Sequence, residues 1–219
     1  MSTWLVTGAS RGIGLELCRQ VAARGDSVFA ACREATTALR QTGCRVVEGV
    51  EVRDPASLQR LADALGDTRL DVLVNNAGIL SVESLGDLDY DAMREQFEVN
   101  ALGPLKVTEA LLPKLGEGSK VAIITSRMGS IADNGSGGYY GYRMSKAAVN
   151  AGGVSLARDL AGRGIAVLLL HPGMVATDMT GREGIPPAQS AAMLITQIDR
   201  LGLADAGSFH HANGEVLPW

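Results

Sequence analysis

Short apolar runs alternate along the chain with longer stretches whose apolar residues recur every three or four positions. The runs are Trp4–Thr7, Ser27–Ala31, Arg45–Glu48, Asp71–Asn75, Val121–Thr125 and Ile165–Leu170, and a last strand is expected near Phe209. Each is a continuous apolar or β-branched run, as strands buried on both faces are. Between them, Ile13, Leu17 and Val21 mark one face of a helix that Gly25 ends. Asp54–Pro55 opens another, because aspartate caps and proline suits a first turn. Long helices are predicted over about Asp89–Leu115 and Tyr142–Ala161, and a further helical pattern begins near Ala188. The alternation predicts an α/β fold, a parallel sheet with helices on both faces. With 219 residues the chain suits one domain, 1–219, with a full core. Ligands of such sheets sit beyond the strands' carboxyl ends, near the point where the strand order reverses. The unusual residues of this chain gather at those ends.

Composition narrows the partners. A net charge of −4 argues against a broad nucleic-acid footprint, which needs a basic face. The opening MSTWLVTGAS has no positive n-region and too short an apolar run for a signal peptide, and Ile165–Leu170 is too short to span a bilayer. Cys18, Cys32 and Cys44 are odd in number and lack metal-ligand spacing. His171, next to Pro172, and the adjacent His210 and His211 suit packing or surface better than metal ligation. The expectation is a reduced, cytoplasmic protein with no metal, no membrane and no nucleic-acid partner.

The first strand runs into TGASRGIG, residues 7–14, with Gly8, Gly12 and Gly14 at a strand-to-helix turn. Glycine permits the tight turn and lets a pyrophosphate approach the backbone. The helix N-terminus behind it offers free N–H groups and a positive dipole end. An ordinary glycine turn would look the same in isolation. Its place before the first helix of an α/β chain favours phosphate binding. At the second strand end, where an acid ordinarily binds the adenosine ribose, the chain reads FAACRE. Cys32 or Arg33 stands there, with Glu34 just beyond, and Arg11 in the glycine loop could reach the same point. Two arginines suit a 2′-phosphate, which favours NADP. NAD is the alternative, with Glu34 on the ribose hydroxyls.

NNAG, residues 75–78, ends the fourth strand and offers either a turn or a wall for a flat cofactor. In the helix that follows, Pro104 removes the usual partner of the Asn100 carbonyl. The result is either a water-filled kink or a carbonyl aimed at the site. Ser126 lies at the carboxyl edge of the fifth strand. YYGYRMSK, residues 139–146, holds three tyrosines, and Tyr142 alone among them has a lysine, Lys146, four residues on, on the same helix face. Moving a tyrosine from its ordinary pKa near 10 toward 7 needs roughly 4 kcal/mol. A cation about 4 Å away supplies about that much at an effective dielectric near 20.

Taken together, these motifs resemble the short-chain dehydrogenase/reductase family over nearly the whole chain: T-G-x-x-x-G-x-G, N-N-A-G, the mid-helix Asn100, S-x-x-G from Ser126, Y-x-x-x-K from Tyr142, and P-G-x-x-x-T at Pro172, Gly173 and Thr177. The stretches SRMGSIADN, YRMSKAAVN and LPW, with the long interval from Ser126 to Tyr142, are similar to the C-factor-like and sniffer-like carbonyl reductases. The resemblance implies a single-domain Rossmann fold, a doubly wound parallel sheet of about seven strands. It implies hydride transfer between a nicotinamide cofactor, NADP by preference, and a small carbonyl or alcohol substrate. Tyr142 would be the acid/base and Lys146 would lower its pKa and hold the nicotinamide ribose. Ser126 would orient the carbonyl, and Asn100 would hold a relay water. The cofactor would meet Gly8, Ser10, Arg11, Gly12, Ile13, Gly14, Arg33, Glu51, Val52, Asn76, Ala77, Gly78, Tyr142, Lys146, Pro172, Gly173, Val175 and Thr177. Glu51 stands where many members have aspartate.

The small residues Ala147, Ala148, Ala151, Gly152 and Gly153 allow close packing, and the resemblance implies that this helix and the Asp89–Leu115 helix pair across a two-fold axis in a homodimer, with a homotetramer as the alternative. The short segment after Thr177, with Gly181, Gly184 and two prolines, suggests an open pocket with little apolar lid. A non-catalytic dinucleotide-binding sensor or signalling factor is the competing reading of the fold. The set Asn100, Ser126, Tyr142 and Lys146 favours an enzyme, since a binder has no need of all four.

Overall fold

The computed structural model describes residues 1–219. Seven strands form one parallel sheet: β1 (Thr3–Thr7), β2 (Ser27–Ala31), β3 (Arg45–Val47), β4 (Val72–Asn75), β5 (Lys120–Ile124), β6 (Ala166–His171) and β7 (Phe209–His211). Their order is β3-β2-β1-β4-β5-β6-β7, so the direction of winding reverses between β1 and β4. This is the expected doubly wound architecture. Leu5, Leu73, Ile123 and Leu169 face one core layer, and Val6, Val74, Ala122 and Leu168 face the other. Two buried layers explain why the strands read as continuous apolar runs.

Helices α1 (Gly12–Ala23), α3 (Pro55–Ala64), α6 (Tyr140–Ala161) and α7 (Pro187–Arg200) lie where the patterns predict, within a few residues. Asp54 caps α3 as expected, accepting from the N–H groups of Ala56 and Ser57. The four-residue α2 (Thr37–Arg40), capped by Thr36, is too short to leave a periodic signal. None of the helices is long and apolar enough to cross a membrane.

The long helix predicted over Asp89–Leu115 is divided. Asp89 caps α4 (Tyr90–Phe97), a π-helical turn spans Glu98–Leu102, and α5 runs from Gly103 to Leu111. The cause is Pro104, whose missing N–H breaks the α-helical ladder. The Gly103 N–H bonds back five residues to the Glu98 carbonyl instead. The turn also carries Gly103 against the loop after β3, where a Cβ would lie 3.0 Å from Val52 Cγ2. The proline signal was correct, but its outcome is an extra residue in the turn, which turns the Asn100 side chain toward the end of β4.

Candidate active site

The two loops at the switch point are stapled to each other. Thr7 Oγ1 accepts from the N–H groups of Asn76 and Ala77 at 3.0 and 3.1 Å. Asn76 Nδ2 donates to the carbonyls of Thr7 and Gly8 at 2.9 and 3.2 Å. Such closeness requires glycine. A Cβ on Gly8 would lie 2.9 Å from Ala77 Cα, and one on Gly14 would lie 2.3 Å from the Gly8 carbonyl oxygen. Gly8 and Gly12 also have φ of 65° and 55°. Arg11, the N-cap of α1, has no side-chain capping bond, so the first N–H groups of α1 face the cleft uncapped.

The cleft above this junction has a volume of about 700 Å³ and runs from the end of β2 to the start of α6. Its lining includes Gly8, Ser10, Arg11, Gly12, Ile13, Arg33, Glu51, Val52, Asn76, Ala77, Gly78, Tyr142, Lys146, Pro172 and Thr177, all expected from the sequence. Gly14, Gly173 and Val175 lie behind the lining. Gly14 lets the turn close, Gly173 takes a left-handed φ of 88°, and the buried Val175 pairs with Ile185. Asn100 and Ser126 are buried at the edge of the cleft, Asn100 against Ile79 and Ser126 beside Tyr142. The elongated shape, the uncapped helix N-terminus and the cradle a Cβ would fill fit a dinucleotide.

At the β2 end Arg33 is exposed, at the cleft wall. Arg11 instead pairs with Asp178 at 3.5 Å, and Asp178 also meets Arg182 at 3.2 Å. Glu51 accepts from the Arg53 N–H and Nε at 3.2 and 3.3 Å, and Arg53 reaches Glu95 at 3.1 Å. Burial opposes the charge on Glu51, but the Arg53 bonds outweigh it and hold the carboxyl below its usual range. The Asp178–Arg182 and Arg53–Glu95 pairs were missed in the sequence. The four-residue spacing of Asp178 and Arg182 was a signal in the sequence, whereas only meeting in space marks Arg53 and Glu95.

At the other end, Tyr142 sits in the first turn of α6 and is buried. Burial pushes its phenol up to about 12, opposed by a hydrogen bond with Ser126. Lys146, one turn on, donates to the Ile124 carbonyl at 3.0 Å, with its Nζ 5.7 Å from the Tyr142 ring centre. Burial pulls its ammonium down to about 8. Desolvation is the largest influence on both groups. Ser126 caps the short turn Arg127–Gly129, accepting from the Met128 N–H at 3.1 Å. A Cβ on Gly129 would lie 2.7 Å from the Lys146 carbonyl carbon, which explains glycine at the end of S-x-x-G. Asn100 clamps Ile79 from both sides, accepting from its N–H at 2.9 Å and donating to its carbonyl at 2.8 Å. It also donates to Ser145 Oγ at 3.1 Å, and Ser145 Oγ donates to the Tyr142 carbonyl at 2.8 Å.

Comparison with known proteins agrees with this geometry. The profile described as short chain dehydrogenase matches residues 2–185. The 1-hydroxy-2-glutathionyl-2-methyl-3-butene dehydrogenase of Rhodococcus sp. (strain AD45) is 46% identical over 226 residues, covering 100% of both chains. The C-signal protein of Myxococcus xanthus is 47% identical over 154 residues, 68% of this chain and 93% of that one. The NADPH-bound carbonyl reductase from chicken fatty liver superposes with a TM-score of 0.91 at 29% identity, covering 100% of this chain and 99% of that one.

Gly14→Ala tests the cradle. The added Cβ meets backbone, which cannot turn aside, so the loop must open. Titration with NADPH, followed by its fluorescence, is expected to show at least a roughly tenfold weaker complex, the scale of a single misplaced contact. Unchanged affinity would mean that the loop does not hold the dinucleotide.

Proposed function

Because the chain belongs to the short-chain dehydrogenase/reductase family, we propose that this oxidoreductase is an NADPH-preferring carbonyl reductase with Tyr142 as its proton donor. The observation that carries the reading is the buried Tyr142 phenol, near enough to Ser126 for that hydroxyl to favour its ionised form, and one turn before the buried Lys146, at the end of a dinucleotide-sized cleft. When bound, the cofactor supplies the hydride. Gly8, Gly12 and the α1 N-terminus would hold its pyrophosphate, and Lys146 would hold a ribose. An ammonium has three donors, and the bond to Ile124 uses one of them.

The remaining chemistry belongs to the side chains. The Ser126 and Tyr142 hydroxyls hold the substrate carbonyl oxygen between them. As that oxygen gains charge, Tyr142 gives it a proton. A phenol held up near 12 is protonated at neutral pH, which is the form that reduction requires. The Lys146 ammonium stabilises the phenolate left behind while the pH is below about 8. Asn100 fixes the cleft wall at Ile79 and, through Ser145, the main chain of Tyr142.

For the cofactor, Arg33 is the stronger candidate for the 2′-phosphate, since Arg11 already has a carboxylate partner in Asp178. For the substrate, the segment after Thr177 is bonded to itself. Thr180 Oγ1 reaches the carbonyls of Val175, Thr177 and Glu183, and Gly184 lies against the Met174 carbonyl. Met179 within it is exposed, as is Met174 just before it, so the mouth carries some apolar surface. A lid tied down in this way leaves the mouth open, which suits small aldehydes and ketones and also a substrate with a bulky polar arm. The Rhodococcus relative, by its name, acts on a glutathionyl conjugate.

Three outcomes are expected. Tyr142→Phe removes only the proton donor, so kcat should fall by at least about 10²-fold while NADPH titrates as in the parent. Near-parental kcat would refute the role. Arg33→Asp puts a repelling charge at the phosphate and should move preference from NADPH toward NADH. An unaltered ratio of the two cofactors' Kd values would remove Arg33 from the account. On a graded series of carbonyl compounds, kcat/KM should vary shallowly with size. One compound far above all its neighbours would show a closed, selective pocket.

A further inference from the structure

Helix α6 carries Tyr142 in its first turn, yet its own sequence gives that turn no cap. Tyr139, the N-cap residue, is left-handed with φ of 53° and makes no side-chain capping bond. Serine, threonine or aspartate ordinarily does this work, and the first N–H groups of a helix need acceptors. The acceptor comes from elsewhere in the chain. Glu83, in the segment after β4, is only 2% exposed. Its Oε2 accepts from the Gly141 N–H at 3.1 Å, and its main-chain carbonyl accepts from the Tyr139 N–H at 3.1 Å. Its Oε1 accepts from Gln96 Nε2 at 2.7 Å and from Ser81 Oγ. Gln96, 1% exposed, also accepts from the Ser81 N–H at 3.1 Å. A buried carboxylate without such donors would be strongly disfavoured, and here the helix dipole adds to them. Position 141 must be glycine for this arrangement, because a Cβ there would lie 2.5 Å from Gln96 Nε2 and 3.0 Å from Met93 Cα.

We propose that Glu83 is a positioning residue for the reduction: as the cap of α6 supplied from the β4 loop, it sets where Tyr142 stands relative to Ser126 and Lys146. This rests on the assignment of Tyr142 as proton donor. Glu83 does not line the cleft, so its effect is on the phenol and not on the cofactor. The same carboxylate ties the wall beside Ile79 to the start of α6, so the two sides of the substrate end move as one body.

The test compares Glu83→Gln and Glu83→Ala with the parent and with Tyr142→Phe, below the melting temperature of each. Glutamine keeps the shape but has one acceptor oxygen where glutamate has two, so at least one of the three donors to this side chain, the Gly141 N–H, Gln96 Nε2 and Ser81 Oγ, loses its partner. Amide hydrogen exchange of Gly141 and Tyr142 is read together with kcat, KM and the NADPH Kd. The expectation for Glu83→Gln is roughly tenfold faster exchange in the first turn of α6, on the scale of a lost cap. The later turns should stay protected. In parallel, kcat should fall by about the same factor with the NADPH Kd unchanged, and Glu83→Ala should be worse on both counts. Unchanged first-turn exchange in Glu83→Ala, which has no acceptor in any orientation, overturns the capping role whatever the activity. Faster exchange with parental kcat, beside an inactive Tyr142→Phe, overturns the positioning role and leaves the acid assignment standing. Retained turnover in Tyr142→Phe overturns the acid assignment and with it the catalytic half of this proposal.

Discussion

The structure depends on keeping an ammonium and a phenol dry at one end of a sheet. Removing a lysine charge from water costs several kcal/mol unless polar groups replace the water. The shift of Lys146 down to about 8 is that cost made visible. The Ile124 carbonyl answers part of it. Gly129 lets the Ser126 turn lie against the α6 backbone at Lys146, and a Cβ on Gly78 would come within 3.8 Å of Lys146 Nζ. Thr125 donates to Asn150 at 2.7 Å and ties the end of β5 to the same helix one turn after Lys146. The polar groups around α6 thus form one connected body, and the remaining lysine donors are free for a polar ligand.

The opposite end is governed by close backbone approach. Because β1 and β4 are neighbours at the reversal of strand order, the glycine loop and NNAG meet there. Their mutual hydrogen bonds leave no volume for a side chain on Gly8 or Gly14. The cleft between the two ends is therefore set by the fold. Its polar contacts at the rim, Arg11 with Asp178 and Arg53 with Glu51 and Glu95, are exposed or half-exposed pairs that contribute little to stability. They are better placed to govern what enters.

Much of this was legible in the residue pattern. The parallel strands are buried on both faces, so their apolar runs have clear limits, and the glycine, serine, tyrosine and lysine motifs fall at strand ends where topology brings them together. What could not be read depends on burial and on distant neighbours. Pro104 announced a break, but the π-turn is one of several ways to answer it, and the close approach of Gly103 to Val52 that accompanies it has no signal in the pattern. Glu83 stands between exposed Val82 and Leu85, with no periodicity to mark it. It is buried because α4 and α6 close over it, through bonds to residues 13 and 58 positions away. Spacing puts a lysine beside the phenol, but only the packed structure shows how deeply both groups are buried.

The central claim is that this cleft delivers hydride to a carbonyl carbon while Tyr142 delivers the proton. Mass analysis of the alcohol formed from an aldehyde with NADPH deuterated at C4 of the nicotinamide tests it most directly. The account predicts that the label from one face of the ring appears on the carbinol carbon. An alcohol free of deuterium with labelling on either face, or no alcohol from any aldehyde or ketone offered, would contradict it.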